Sequence, residues 1–318
     1  MECADPRIKV LPVRDYALAM TLTSGQAFRW KRGGDDFWTG VVAGRWVRLR
    51  QVVVQGGASV RPVSIAPERR PTPGPQGSET IIMAETAMPV GNWDWLEHYL
   101  QARTDLAAVL DTFPQDEPMQ AAAIACRGLR LLRQDPWECL ASFILSSTKR
   151  ILQIQQIVSV VCERFGEPIA VPEGSAPAFG FPAPERLASV SEAELRHCKM
   201  GFRAPFLLSA ARRVAEGKLD LQSPYGGDVQ DARGQLMACE GVGAKIANCV
   251  LLFAYGRQEA FPVDVWVMKA LRQLYFPRRK RTLLQLQKFA SEHFGPNAGY
   301  AQQYLFHYAR SHLNRKTP

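Results

Sequence analysis

Lys245 follows the run Cys239-Glu240-Gly241-Val242-Gly243-Ala244, and nineteen residues further on comes Phe261-Pro262-Val263-Asp264. A neutral lysine amine can attack an electrophilic carbon, and a nearby carboxylate can stabilise positive charge developing there. The pair fits amine-nucleophile chemistry at a sugar carbon. Each residue alone has a plainer reading: a lone lysine is usually a solvated charge, and an aspartate before a helix is usually only its cap. The joint pattern has few structural reasons to occur.

The glycines before Lys245 point to the partner. A Gly-x-Gly hairpin between helices lets the backbone approach a phosphate closely. The following helix then aims free N–H groups and a positive dipole end at that phosphate. Such a contact holds DNA in register without reading its sequence. Gly241-Val242-Gly243 taken alone would equally suit an ordinary tight helix–helix turn.

These residues need particular elements to position them. One helix should end near Cys239, and a second should bury Ile246, Val250, Phe253 and Ala254 before stopping at Gly256. Pro262 disfavours helix just before it, and Asp264 is placed to cap a helix over 265–275. Upstream, Ile151, Ile154, Ile157, Val158 and Val161 mark another helix face. Similar periodicity predicts helices over 93–110, 117–130, 137–147, 206–216, 231–238, 244–255, 282–294 and 299–313.

The first 90 residues read differently. Strands are expected at Ala27–Arg32, Phe37–Ala43, Trp46–Val54 and Glu79–Met83, with turns at 33–36 and at Gly44-Arg45. Residues 55–78 are rich in Gly, Pro and Ser and are expected to form a long loop. The fold class is therefore α+β: an N-terminal antiparallel β-sheet domain over 1–115, with a linking helix, packed on an all-helical body over 116–318.

Composition agrees with a basic, folded protein. The 318 residues are 47% hydrophobic and carry a net charge of +9, which suits a polyanionic partner. Seven irregularly spaced cysteines with no C-x-x-C pair suggest neither a disulfide framework nor a thiolate metal site. Met1 to Arg14 carries acids and no apolar run, so no signal peptide is expected. The apolar stretch Cys249–Tyr255 is too short to span a membrane. The chain is expected to be intracellular and monomeric, without membrane association. The basic run Pro277–Arg281 reads as a solvated loop that also resembles a nuclear localisation cluster.

Four segments resemble one family. Leu236 to Tyr275 resembles the catalytic core of the helix-hairpin-helix DNA glycosylases. Ser24-Gly25-Gln26-Ala27-Phe28-Arg29-Trp30, Leu131 to Leu140 and Gly295 to Gln302 resemble signatures of the 8-oxoguanine DNA glycosylases of eukaryotic type, in family order. The resemblance implies an N-terminal antiparallel sheet domain on a helix-hairpin-helix glycosylase body. It implies base-excision repair of duplex DNA containing 8-oxoguanine, with base release and strand nicking. The alternatives are a glycosylase of this superfamily for another lesion and a non-catalytic DNA-binding module.

Residue by residue, the resemblance makes Lys245 the nucleophile at C1′, forming a Schiff base that permits β-elimination, and Asp264 the catalytic carboxylate. Gly25 matches the glycine whose carbonyl accepts the N7–H of 8-oxoguanine. Phe306 and Cys249 match the two faces of the base, Gln302 its Watson–Crick edge and Pro262 the pocket wall. Gly241, Val242, Gly243, Thr148, Lys149, Arg203 and Trp266 fall at DNA-contacting positions. No cofactor is expected, although the carbonyls of Met237, Cys239 and Val242 match those that hold a monovalent cation. The compartment implied is the nucleus in a eukaryote, or the cytoplasm and nucleoid in a bacterium.

The chain departs from the pattern in three places. Thr148-Lys149-Arg150 stands where family members carry an Asn run, whose first Asn helps fill the gap in the duplex. Gln153 stands where an arginine reading the orphaned cytosine is expected, and Trp266 where a histidine is expected. The absence of a Cys-x6-Cys-x2-Cys-x5-Cys cluster after Lys245 sets the chain apart from iron–sulfur relatives. Alkyl-base members lack the lysine.

Overall fold

The computed structural model describes residues 5–55, 59–62, 79–222 and 227–313. Its N-terminal part is an antiparallel sheet of β1 (Ile8–Val13), β2 (Lys31–Arg32), β3 (Trp38–Val42), β4 (Arg45–Gln55), β5 (Ser59–Pro62) and β6 (Glu79–Thr86), with helix α1 (Leu18–Thr23) after β1. The order is β1-β6-β4-β3-β2, and β5 pairs with the far half of β4. β4 runs along β6 from Val47↔Thr86 to Val54↔Glu79. One face buries Leu11, Val47, Leu49, Ile82 and Ala84 against Leu96, Leu100 and Leu132.

Several expectations change here. The β3–β4 turn is Ala43-Gly44, one residue earlier than expected, because Arg45 already pairs with Val42. Ala43 and Gly44 have φ of 48° and 70°, as a two-residue turn matched to sheet twist requires. The strand expected over Ala27–Arg32 shrinks to Lys31–Arg32. The preceding side chains serve packing instead: Phe28 enters the helical core and Trp30 the sheet core. β1 and α1 were not anticipated. Within the segment expected as loop, Ser59–Pro62 is a strand, and 56–58 and 63–78 lie outside the described residues.

Helix α2 (Asp94–Leu100) packs on the sheet, and α3 (Leu106–Asp111), α4 (Glu117–Ala125), α5 (Pro136–Leu145) and α6 (Ile151–Phe165) follow. A short hairpin of β7 (Pro168–Ile169) and β8 (Ala178–Phe179) leads to α7 (Pro184–Ala188), α8 (Glu192–Leu195) and α9 (Ala204–Ala215). Then come α10 (Val229–Met237), α11 (Ala244–Phe253), α12 (Val265–Ala270), α13 (Leu283–His293) and α14 (Ala298–His312). The single helix expected over 93–110 is two. Gln101 closes α2 in the left-handed region at φ 52°, and the Asp105 side chain caps α3. The helix expected over 265–275 continues past Ala270 as a π-helical turn, Leu271–Tyr275.

Two features set up the site. α11 is buried from Ile246 to Phe253, as a helix apolar on all sides must be, so its first turn is held rigidly. The sheet is tied to the body through Gln26. Its Nε2 donates to the Arg130 carbonyl at 2.8 Å, its Oε1 accepts from Leu132 N–H at 2.8 Å, and its carbonyl accepts from Gln134 Nε2 at 2.7 Å. Gln303 on α14 reaches the Ser24 carbonyl at 3.2 Å. Gly25 lies between these two anchors.

Candidate active site

The two hairpin glycines differ in kind. Gly241 has φ +79°, and a Cβ there would come within 2.5 Å of the Phe206 ring. Fold and packing therefore account for it. Gly243 has φ −91° and ψ 177°, conformations open to any residue, and a Cβ there would meet nothing within 4 Å. No side chain caps α11, which leaves its first N–H groups available to an anion. Val242 is buried, and its N–H donates to the Cys239 carbonyl at 3.1 Å, closing the turn.

Lys245 sits in the first turn of α11. Its Nζ donates to Ser146 Oγ at 3.2 Å and lies 5.1 Å from the centre of the Phe143 ring. Asn248, one turn along the buried helix, accepts from Arg233 Nε on α10 at 2.8 Å and donates to the Phe261 carbonyl at 3.3 Å. This relay fixes the hairpin, the lysine helix and the Phe261–Asp264 segment relative to one another.

Asp264 caps α12 through Oδ1, which accepts from the N–H groups of Trp266 at 2.9 Å and Val267 at 2.8 Å. Burial raises its pKa above the ordinary carboxylate value, against the pull of those bonds and of the Lys245 and Arg310 charges. Cys249, one turn after Lys245, is buried, and its thiol is pushed up to about 11 by desolvation, with Lys245 opposing and Asp264 adding. Lys245, Cys249 and Asp264 thus share one electrostatic neighbourhood.

Gly25 and Phe306 face one another across a narrow space. Gly25 has φ +84°, and a Cβ on it would stand 2.7 Å from Ile151 Cδ1 and 3.4 Å from Phe306 Cε1. Gln302, one turn before Phe306, is 3% exposed, and its Oε1 has no hydrogen-bond partner among the described residues. Arg310, one turn after Phe306, places its guanidinium 5.3 Å from that ring. Pro262 is buried beside Phe261. A buried amide oxygen without a donor is costly, and a ligand N–H would satisfy it.

The residues expected to contact DNA outside the base pocket differ in exposure. Thr148 is exposed at φ 58° and Lys149 is half-buried. Arg203 is only 2% exposed and is turned inward, donating to the Ser147 and Met200 carbonyls and to Thr148 Oγ1. Its guanidinium stacks 4.2 Å from the Phe202 ring, which is 54% exposed. Trp266 is half-buried, with Lys269 Nζ 5.5 Å from its ring. Sequence reasoning missed Ser146, Phe143, Phe202 and Arg310. The four-residue step from Phe306 could have indicated Arg310; nothing local indicated that Ser146 would meet Lys245.

The carbonyls considered for a cation fit a hard monovalent ion as neutral oxygen donors. Among the described residues no N–H donates to the Met237 or Val242 carbonyl, and the Cys239 carbonyl accepts only from Val242.

A sheet packed on a helical body, with a hairpin presenting a lysine in the electrostatic field of a capping aspartate, fits the architecture of the helix-hairpin-helix glycosylases. Residues 10–140 match the 8-oxoguanine DNA glycosylase N-terminal domain, and 141–296 match the HhH-GPD superfamily of base excision DNA repair proteins. A probable N-glycosylase/DNA lyase of Methanothermobacter thermautotrophicus is 32% identical over 63% of this chain and 69% of its own length. The N-glycosylase/DNA lyase OGG1 of Arabidopsis thaliana is 28% identical over 92% of this chain and 77% of its length. Among solved structures, MBOgg1 in complex with a low-affinity DNA ligand superposes with a TM-score of 0.81 at 30% identity, covering 96% of both chains. The Clostridium acetobutylicum 8-oxoguanine glycosylase/lyase, bound to dsDNA with cytosine opposite 8-oxoG, gives 0.78 at 25% identity, covering 95% of this chain and 98% of that one. The chain belongs to the 8-oxoguanine DNA glycosylase family. Among the described residues no helix is long and apolar enough to cross a membrane.

Proposed function

We infer that the protein is a bifunctional DNA glycosylase and lyase that removes 8-oxoguanine from double-stranded DNA in base-excision repair. The observation that carries this reading is the Lys245 amine, held at the start of a buried helix directly after a hairpin open to phosphate, and sharing its field with the half-buried Asp264. Flipping a base costs a few kcal/mol, so a slot must offset that with stacking and edge contacts. Phe306 supplies the stacking face, Cys249 the opposite one, Pro262 the wall and Gln302 an unpaired acceptor for the base edge. The Gly25 carbonyl takes the N7–H.

Lys245 attacks C1′ as the bond from C1′ to the base breaks, and the base leaves with that electron pair and gains a proton. Asp264 stabilises the positive charge on the sugar. Ring opening gives the Schiff base, and loss of a C2′ proton expels the 3′ phosphate. Gly241, Val242 and Gly243 hold the backbone, and a monovalent cation on the Met237, Cys239 and Val242 carbonyls would add positive charge there. Thr148, Lys149, Arg203 and Trp266 lie toward the duplex. The sheet domain, taken as 1–115, supplies Gly25, and the body, 116–318, supplies the rest. The protein is taken to act as a monomer inside the cell.

Lys245→Gln tests the reading. It should abolish base release and borohydride trapping on an 8-oxoguanine duplex while binding persists. Excision near the wild-type rate would mean that another group attacks.

A further inference from the structure

We propose that Ser146 is a positioning residue for the nucleophilic amine: its hydroxyl oxygen accepts an N–H of Lys245 and does not donate to the nitrogen, so the lone pair of the neutral amine stays free for attack. This rests on the reading of Lys245 as nucleophile.

Ser146 is the C-cap of α5, and its hydroxyl donates to the Phe143 carbonyl at 2.7 Å. A serine hydroxyl has one proton, so with that proton given to Phe143 the oxygen can only accept from Lys245 Nζ at 3.2 Å. The direction matters. A hydroxyl donating to the amine would occupy the lone pair that must reach carbon; one that accepts leaves it free. The Phe143 ring lies with its centre 5.1 Å from the nitrogen and bounds the space on that side. Phe143 is itself fixed, stacked on Phe253 at 5.6 Å and edge-on to Phe28 at 5.5 Å. A tetrahedral neutral amine has one bond to Cε, two N–H bonds and one lone pair. With one N–H bond held by Ser146 and the Phe143 ring beside it, the long lysine chain is confined and the hydroxyl leaves the lone pair unoccupied. Orienting a nucleophile before attack is worth rate rather than affinity.

The test compares Ser146→Ala, Ser146→Thr and Lys245→Gln with wild type, by single-turnover excision, by borohydride trapping on a preformed abasic site, by duplex Kd and by thermal melting. Ser146→Ala removes the acceptor and should slow excision and trapping together by roughly tenfold, the worth of one oriented hydrogen bond, with Kd unchanged. Ser146→Thr keeps the hydroxyl and should restore most of the rate. The abasic substrate has no base to recognise, so an equal slowing there locates the defect at the amine. If the alanine variant does not fold, Ser146→Cys keeps the volume with a poor acceptor and should show the same slowing. Wild-type rates in Ser146→Ala, or a threonine variant as slow as alanine, overturn the proposal while Lys245→Gln stays inactive. An active Lys245→Gln overturns the underlying assignment of the nucleophile instead.

Discussion

Gly25 and Phe306 are separated by less than a side chain: a Cβ on Gly25 would stand 3.4 Å from Phe306 Cε1 and 2.7 Å from Ile151 Cδ1. Their elements come from opposite ends of the sequence and are held together by the bond from Gln303 to the Ser24 carbonyl. Gly25→Ala should therefore act twice. The left-handed backbone costs about 1–2 kcal/mol for a non-glycine residue, visible as a lower melting temperature. The methyl also intrudes on the slot, so excision should fall by more than the stability loss explains. A complementary measurement changes the substrate: 8-oxoguanine with N7 replaced by C–H leaves the Gly25 carbonyl unpaired, costing roughly 1–3 kcal/mol, or about 5- to 150-fold in rate. Equal excision of both lesions would take Gly25 out of recognition.

The hairpin glycines give a paired experiment. Gly241→Ala meets both a φ of +79° and the Phe206 ring, so it should destabilise the fold by about 1–3 kcal/mol. Gly243→Ala meets neither, and its stability should stay within about 0.5 kcal/mol of wild type. Its methyl nevertheless adds bulk in open space at the N-cap of α11, beside the uncapped N–H groups. Duplex binding should weaken by a similar factor for lesion and undamaged DNA, because a phosphate contact carries no base information. Unchanged Kd in Gly243→Ala would show that the hairpin is only a turn.

Asp264 makes a prediction in pH. Its folded pKa is raised by burial, so its ionised form is disfavoured in the native state. The associated stability is present below the unfolded carboxylate value and is lost as pH rises through the folded value. Asp264→Asn keeps a good capping residue and removes the buried charge. At neutral pH it should melt higher than wild type, and the difference should shrink as the pH falls toward the carboxylate range. Excision should be severely reduced throughout. In the wild-type enzyme the acid limb of the single-turnover rate should lie above the ordinary aspartate pKa. A variant that melts lower at neutral pH would contradict the sign.

The local chemistry of this site was legible in the sequence because caps and hairpins are local. Asp264 caps its helix as expected, through N–H groups two and three positions on, and Gly241 takes the left-handed turn of the hairpin. What was not legible was long-range. Ser146 meets Lys245 across 99 positions, and no spacing rule reaches that far. The break at Gln101 escaped notice because a glutamine there carries no turn signal and only its left-handed backbone ends the helix. β1 was missed because Ile8 and Val10 are exposed on it, so its apolar residues do not alternate with polar ones in the way that marks a half-buried strand.

The opposite base is where sequence and structure pull hardest on one another. Reading an orphaned cytosine requires donors aimed at its O2 and N3 acceptors. Of the residues expected to supply them, Gln153 replaces one arginine, and its side chain accepts from the Arg150 N–H at 3.0 Å as part of the start of α6. Arg203 remains, but its donors go to the Ser147 and Met200 carbonyls and to Thr148 Oγ1. To reach a cytosine it must release bonds that a buried guanidinium cannot give up without replacement. Thr148 is too short to fill a nucleotide-sized gap. Each missing bidentate pair removes about 1–3 kcal/mol of discrimination. Excision opposite cytosine should remain preferred, but by a smaller margin than in family members that keep both arginines and the asparagine. Thr148→Asn should widen that margin, since it restores the longer polar side chain and removes the hydroxyl that engages Arg203. The measurement is single-turnover excision from four duplexes pairing 8-oxoguanine with each base, at one salt concentration, for wild type and Thr148→Asn. A near-absolute cytosine requirement in the wild-type protein would show that another donor replaces the missing ones, and the exposed Phe202 face beside Arg203 is where it should then be sought.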